Sequence, residues 1–355
     1  MKCRKFISFI LLSFIIFSLS SCFVSDGNEV NDENGHAVED YDSFVAEVEG
    51  EKITESELRF ILGHMKDISE ESSNLSGADD EQIKMFWEEE IDGEKRKDIV
   101  KRASLDDLIE VKLLVSRAKE ENVQLDELDN IEIDELMWQY IQTNGGEELA
   151  EIKLQKDFGM NLDEYEKINE ELILSAKYKD EAAKNIEIDE EDIRKYYDDN
   201  IDRVEMVSIK YILFLTETHE YDDPMTEEEI EEKKELAKEV LSMAEAGEDF
   251  DSLTEEYTED PEYQLYGNEY TFSRNSASED LKEWSFSSDE GELTMLEVPA
   301  GFMVLKLNER HGFEYVKEGI KQTLQKQEFE NNLKQWKKQD FAINQEVLDS
   351  ISILD

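Results

Sequence analysis

The stretch Ala237–Pro261, AKEVLSMAEAGEDFDSLTEEYTEDP, decides how the chain is read. Ala237, Val240, Leu241 and Ala244 fall on one face of a helix that Gly247 ends. Phe250, Leu253 and Tyr257 repeat at steps of three and four, which predicts a second, short helix. The stretch closes on Asp260 before a proline, the last of seven carboxylates counted from Gly247. Upstream, Thr226 and Glu229 behind Pro224 form a capping box for the first helix. Before it, Val207–Leu215 is β-branched and aromatic and predicts a strand. A helical turn around Leu281–Phe286 and two strands, Leu293–Val298 and Phe302–Leu307, complete an α+β unit.

Both flanks of this unit read as helical. Val45 and Val48 flank a short strand, Gly50 turns the chain, and Thr54 with Glu57 caps a helix. From Ser104 to about Asn200 apolar residues keep helical spacing, with a break at Gly145-Gly146. On the C-terminal side Ile320, Leu324, Phe329, Leu333 and Trp336 predict a long helix with a basic face of Lys334, Lys337 and Lys338. The expected fold class is therefore α+β. A mostly helical region is built from N- and C-terminal segments, and an α+β domain with a small antiparallel sheet is inserted between them.

The beginning of the chain carries a different signal. Lys2, Arg4 and Lys5 precede an apolar run, Phe6–Leu19, too short to cross a bilayer core of roughly 30 Å. Residues 1–21 are expected to be a signal peptide. The run ends in LSSC, Leu19–Cys22, which resembles the bacterial lipobox and implies cleavage before Cys22 and lipid on its thiol. The only cysteines are Cys3 and Cys22, so the remaining chain forms no internal disulfide. Cleavage removes three basic residues, and the formal charge of −54 becomes −57. Residues 22–42 read as an acidic, disordered tether. Such a charge repels nucleic acid and anionic lipid and so argues against either as a partner. His36, His64, His219 and His311 are scattered without ligand spacing and are expected at the surface. No G-x-S-x-G, phosphate-binding loop or paired-cysteine motif is present. No metal and no cofactor is expected.

The strand IKYILF, the Ala237–Pro261 block and SFSSDEGELTMLEVPAGFMVLKLNER, in that order, look like a parvulin-type peptidyl-prolyl isomerase domain over residues 204–312. Residues 43–203 resemble the N-terminal helical region of SurA- and PrsA-type chaperones, and residues 313–355 the C-terminal helix that packs on it. With the lipobox, the architecture is similar to PrsA-type extracytoplasmic foldase lipoproteins. That resemblance implies a chaperone for unfolded or newly exported polypeptides, anchored outside the cytoplasm to the bacterial cell membrane by its lipid. It leaves a homodimer open.

The parvulin pattern implies an apolar floor, a pair of histidines and a Cys or Asp beside the prolyl bond. Asp260 falls on the Cys/Asp position and is the catalytic candidate. Tyr211 and Met303 stand where the histidines belong, Ala277 and Leu281 replace a methionine and a phenylalanine, and Phe272 and Phe286 keep apolar positions. Tyr211, Phe272, Leu281, Phe286 and Met303 are thus the substrate-binding candidates. Asn268, Glu269 and Tyr270 replace Asp, Leu and Gly, and an inward Glu269 would put a charge into the pocket. These departures imply weak or lost isomerase activity; the alternatives are an active isomerase and a solute-binding lipoprotein. Trp87, Trp138, Tyr140, Phe158 and Trp336 are candidates to receive unfolded segments, or else core residues.

Overall fold

The computed structural model describes residues 44–75, 77–216, 224–339 and 341–354. The expected signal peptide (residues 1–21), Cys22, the expected tether (residues 22–42), His36 and His219 lie outside the described residues. The described residues open with β1 (Phe44–Val48), β2 (Glu51–Thr54), α1 (Glu55–Ser72), α2 (Asp80–Glu88), β3 (Glu90–Ile91) and β4 (Glu94–Lys95). Then come α3 (Arg96–Glu121), α4 (Glu127–Thr143), α5 (Glu147–Phe158), α6 (Leu162–Lys184), α7 (Glu190–Asp199) and α8 (Ile201–Val204). The middle holds β5 (Met206–Leu215), α9 (Glu227–Glu245), α10 (Phe250–Tyr257), α11 (Tyr263–Tyr266), β6 (Glu269–Ser273) and α12 (Glu279–Ser287). Last are β7 (Leu293–Val298), β8 (Gly301–His311), α13 (Phe313–Trp336), β9 (Ala342–Ile343) and α14 (Gln345–Ser350). The described residues form two compact units: those up to Ile186 together with those from Glu328 onward, and Glu187–Gln327.

In the first unit, Glu49 and Gly50 both have positive φ, so β1 turns tightly into β2. The Thr54–Glu57 capping box then starts α1. Leu58, Ile61 and Leu62 of α1 pack on Leu105, Leu108 and Ile109 of α3 and on Ile168 and Leu172 of α6. The other end of the chain closes this core. β9 pairs with β1, and Ile351 and Ile353 are buried in the same cluster. Lys101 Nζ donates to the carbonyls of Leu348, at 3.0 Å, and Ile351, at 2.9 Å. N- and C-terminal segments therefore build one helical body, as the sequence implied.

One cation lies inside that body. Lys112 of α3 is 1% exposed, and its Nζ donates to Glu57 at 2.7 Å and Glu171 at 2.5 Å. Burial alone would lower its ammonium, but Glu57 and Glu171 outweigh burial and hold it above its ordinary range. On the same helix, Asp107 is buried and its Oδ2 has no hydrogen-bond partner. Burial pushes its carboxyl up to about 7; Lys337 opposes, and Glu110 and Asp106 add to, that effect.

The second unit is organised by a four-stranded antiparallel sheet of order β6-β5-β8-β7. Side chains alternate between its faces. Ile212, Phe214, Phe302 and Val304 meet Ala237, Val240 and Ala244 of α9 and Phe250 and Leu253 of α10. Val207, Ile209, Phe272, Leu305 and Leu307 face the other way, toward Phe286 of α12. Gly301 starts β8 with φ of 145°, and a Cβ there would lie 2.0 Å from the carbonyl oxygen of Phe214. All strand pairs among the described residues are antiparallel, unlike the parallel lobes a solute-binding protein needs.

Two expectations shift. The compact unit begins at Glu187 rather than 204, because Ile193, Tyr196 and Tyr197 pack on Phe313, Val316 and Ile320. For the same reason the first part of α13 belongs to the second unit, while Phe329 and Leu333 pack on Leu114 and Tyr178 in the first. The helix's basic face is partly neutralised: Lys337 pairs with Asp106 at 2.8 Å and Glu110 at 3.2 Å.

Replacing Lys112 with Met strands two buried carboxylates, and urea unfolding of the full chain should show a loss of about 3–5 kcal/mol. Asp107 makes a pH-dependent prediction. Unfolded, it ionises near 3.8; folded, near 7. Between those values the unfolded state loses its proton first, so rising pH destabilises the fold through this group, and the cost is complete above about 7. Asp107→Asn should match wild type near pH 4 and exceed it at pH 8 by on the order of 4 kcal/mol in parallel urea titrations.

Candidate functional site

Tyr211 lies on β5 one residue beyond the stretch paired with β6, which ends at Lys210. Past that point the open edge of β5 is satisfied by loops. The amide of Tyr211 donates to the Asn268 carbonyl at 3.0 Å, and that of Glu259 donates to the Leu213 carbonyl at 2.8 Å. The Leu213 amide donates to Thr258 Oγ1 at 3.3 Å, and the Leu215 amide to the Glu259 carboxylate at 2.8 Å. Lys233 of α9 pairs with the same Glu259 carboxylate. The segment 258–260 is thereby laid along the strand, and Pro261 favours extended backbone at the residue before it.

This docking brings Asp260 onto Tyr211. The Tyr211 hydroxyl donates to Asp260 Oδ2 at 2.5 Å, and the Glu262 amide donates to Oδ1 at 2.9 Å. Burial pushes the Tyr211 phenol well above its usual range, with the Asp260 hydrogen bond and the charges of Asp260 and Glu262 adding to it. Tyr211 therefore stays a neutral donor through the physiological range.

The Tyr211 ring also belongs to an apolar cluster, here called the cup. Tyr211, Ala277, Leu281, Trp284, Leu296 and Met303 are half-buried and pack on the Val207, Ile209, Phe272, Phe286, Leu305 and Leu307 cluster. The register explains the grouping: Tyr211 faces Leu305, and Leu296 faces Met303, all on one side of the sheet. Phe272 and Phe286 meet edge to face at 6.0 Å and form the cup's base. Tyr270 stacks on Phe272 at 5.1 Å, and the Arg274 guanidinium sits 4.3 Å from the Phe286 ring. The five substrate-binding candidates thus share one cluster. Tyr211, Leu281 and Met303 are partly accessible, whereas Phe272 and Phe286 are buried.

Glu269 does not enter the cup. It is paired in register with Lys210, on the opposite face, and is exposed, accepting a hydrogen bond from Asn308 at 3.0 Å. His311 also departs from expectation, being buried rather than at the surface. Its Nε2 lies 2.6 Å from Ser208 Oγ, and its ring stacks on Tyr315 at 3.9 Å. His64 is half-buried, and burial lowers its imidazole. In the other unit Trp87 is core, with Nε1 donating to Glu70 at 2.7 Å. Tyr140, Phe158 and Trp336 are half-buried against clusters, and only Trp138 of the five aromatic candidates is exposed. Sequence reasoning did not single out Thr258, Glu259 and Glu262; the proline after Asp260 was the available sign of a constrained loop.

Residues 192–311 match the family described as the PPIC-type PPIASE domain. A foldase protein PrsA of Caldanaerobacter subterraneus is 26% identical over 85% of this chain and 82% of its own. One from Clostridium botulinum is 24% identical over 83% of this chain and 86% of its own. A third, from Halalkalibacterium halodurans, is 26% identical over 57% of each. The chain thus carries a PpiC-type domain and is similar to PrsA-type foldases, as its sequence motifs implied.

Tyr211→Phe keeps the ring and deletes the donor. In alkaline titrations followed at the phenolate absorbance, the wild-type-minus-variant trace should stay flat through the ordinary phenol midpoint of 10.0 and rise only above it. A midpoint at 10 would refute the protected hydrogen bond.

Proposed function

We propose that the chain is an extracytoplasmic folding factor, tethered to a membrane by a lipid on Cys22, that binds unfolded or newly exported polypeptides. In this reading Glu187–Gln327 is an isomerase-type domain kept chiefly as a binding module, with weak or lost prolyl isomerisation. The observation that carries it is the cup: half-buried Tyr211, Leu281 and Met303 over a phenylalanine base, walled by a Tyr–Asp pair.

Turning an X–Pro bond crosses a barrier of roughly 18–20 kcal/mol and breaks no covalent bond. A catalyst grips the ring in an apolar site and favours the twisted amide over the planar one. The cup can supply the grip. Its polar wall is less suited to the twist, because Tyr211 gives its single proton to Asp260, and both Asp260 oxygens already accept a hydrogen bond. No free donor is left by that pair for the rotating amide. A second reading, an active isomerase, draws support from the position of Asp260 beside the cup.

A proline-limited refolding assay and an aggregation assay with a proline-free client separate the two readings. The full chain should suppress aggregation equally well with Asp260→Ala, and should accelerate refolding only a few-fold in either form. Fast, Asp260-dependent refolding would establish the active isomerase instead. Failure to suppress aggregation would remove the chaperone reading.

A further inference from the structure

Helix α4 is packed by one side only. Ile133 is its single buried residue, and Met137 and Tyr140 rest half-buried on Leu154, Met160 and Tyr165. At 3.6 residues per turn, Leu128, Ile131 and Trp138 fall together on the opposite side. They are 76%, 48% and 65% exposed. A helix face turned to water ordinarily carries polar side chains, so three large apolar groups in line there need a partner.

The charges beside the stripe say what kind. α4 holds five carboxylates and no lysine or arginine. Asp129 is engaged by Lys177 and by the helix cap. Glu127, Asp134 and Glu135 are exposed next to the stripe and enter none of the ion pairs among the described residues. A second copy docking symmetrically would set these carboxylates against their own kind, and an anionic membrane would be repelled.

We infer that the Leu128–Ile131–Trp138 stripe of α4 docks cationic amphipathic segments of client polypeptides, with leucine-like side chains against the stripe and lysine or arginine against Glu127, Asp134 and Glu135. This rests on the reading of the chain as a folding factor and specifies the chemistry of its clients. Binding is a helix-on-helix contact of apolar stripes whose selectivity comes from charge.

The test uses the full chain and a dye-labelled helical peptide of leucine and lysine, beside the same peptide with glutamate for lysine, followed by fluorescence anisotropy. The lysine peptide should bind with an affinity that falls as salt is added, and the glutamate peptide should not. Ile131→Ser with Trp138→Ser should weaken binding by about tenfold or more. Asp134→Asn with Glu135→Gln, exposed polar changes that leave the packing untouched, should weaken it and flatten the salt dependence. Equal binding of both peptides, or unchanged binding by either double variant, overturns the inference. So does a wild-type dimer in sedimentation that the serine variant dissolves, which would make a second copy the occupant. Aggregation suppression on the same samples separates the failures. If it persists without lysine-peptide binding, only this inference falls; if both are absent, the folding-factor reading falls as well.

Discussion

Strand β5 is ten residues long and β6 only five, so half of one edge of β5 has no strand beside it. Buried backbone donors and acceptors left unpaired are costly, and the chain answers with its own loops. The Asn268 carbonyl, the Thr258 hydroxyl and the Glu259 amide and carboxylate take the places a longer β6 would have filled. The catalytic candidate is positioned as a by-product. Once Thr258 and Glu259 are fixed to Leu213 and Leu215, Asp260 comes to rest over Tyr211, the first cup-facing residue beyond the end of β6. A longer β6 would displace that loop and dismantle the Tyr–Asp pair.

The rest of the molecule is shaped by a shortage of cations, 38 against 92 carboxylates. Scarce basic groups tie distant segments together. Lys112 joins α1, α3 and α6, Lys101 holds the C-terminal carbonyls, and Lys177 bridges α6 to the start of α4. A buried ion pair of this kind adds little net stability over an apolar packing, yet leaving either side unmatched is expensive. The partners at Lys112 therefore fix which helices meet more than how tightly they hold. Asp107 shows the opposite case, a buried carboxyl that no cation neutralises fully and that burial drives toward the protonated form.

What the sequence revealed follows the range of the forces involved. Capping boxes at Thr54–Glu57 and Thr226–Glu229 act over three residues, and both are formed. The Ala237–Pro261 helices and the β5 run depend on local periodicity and were equally readable. Glu269 was harder, because its face depends on the register between β5 and β6, and a shift of one residue reverses every side chain. His311 has no local mark of burial; its place depends on Ser208, over a hundred positions earlier, and on Tyr315 in the helix that follows. Trp87 and Trp138 looked alike as letters, and only tertiary packing separated the core residue from the exposed one.

Tyr211 and Met303, at positions where the parvulin pattern implies a histidine pair, give the cup a different kind of wall. An imidazole titrates near neutrality and can donate or accept according to its state. A phenol pushed above its usual range holds one proton and one role throughout. Met303 adds a polarisable, unbranched surface that adapts to varied shapes. The Tyr211 side of the cup thereby keeps its proton, and Met303 makes its surface tolerant in form. In the proposed reading, retention of assorted unfolded segments calls for adaptable apolar contact, and half-buried Tyr211, Leu281 and Met303 offer it.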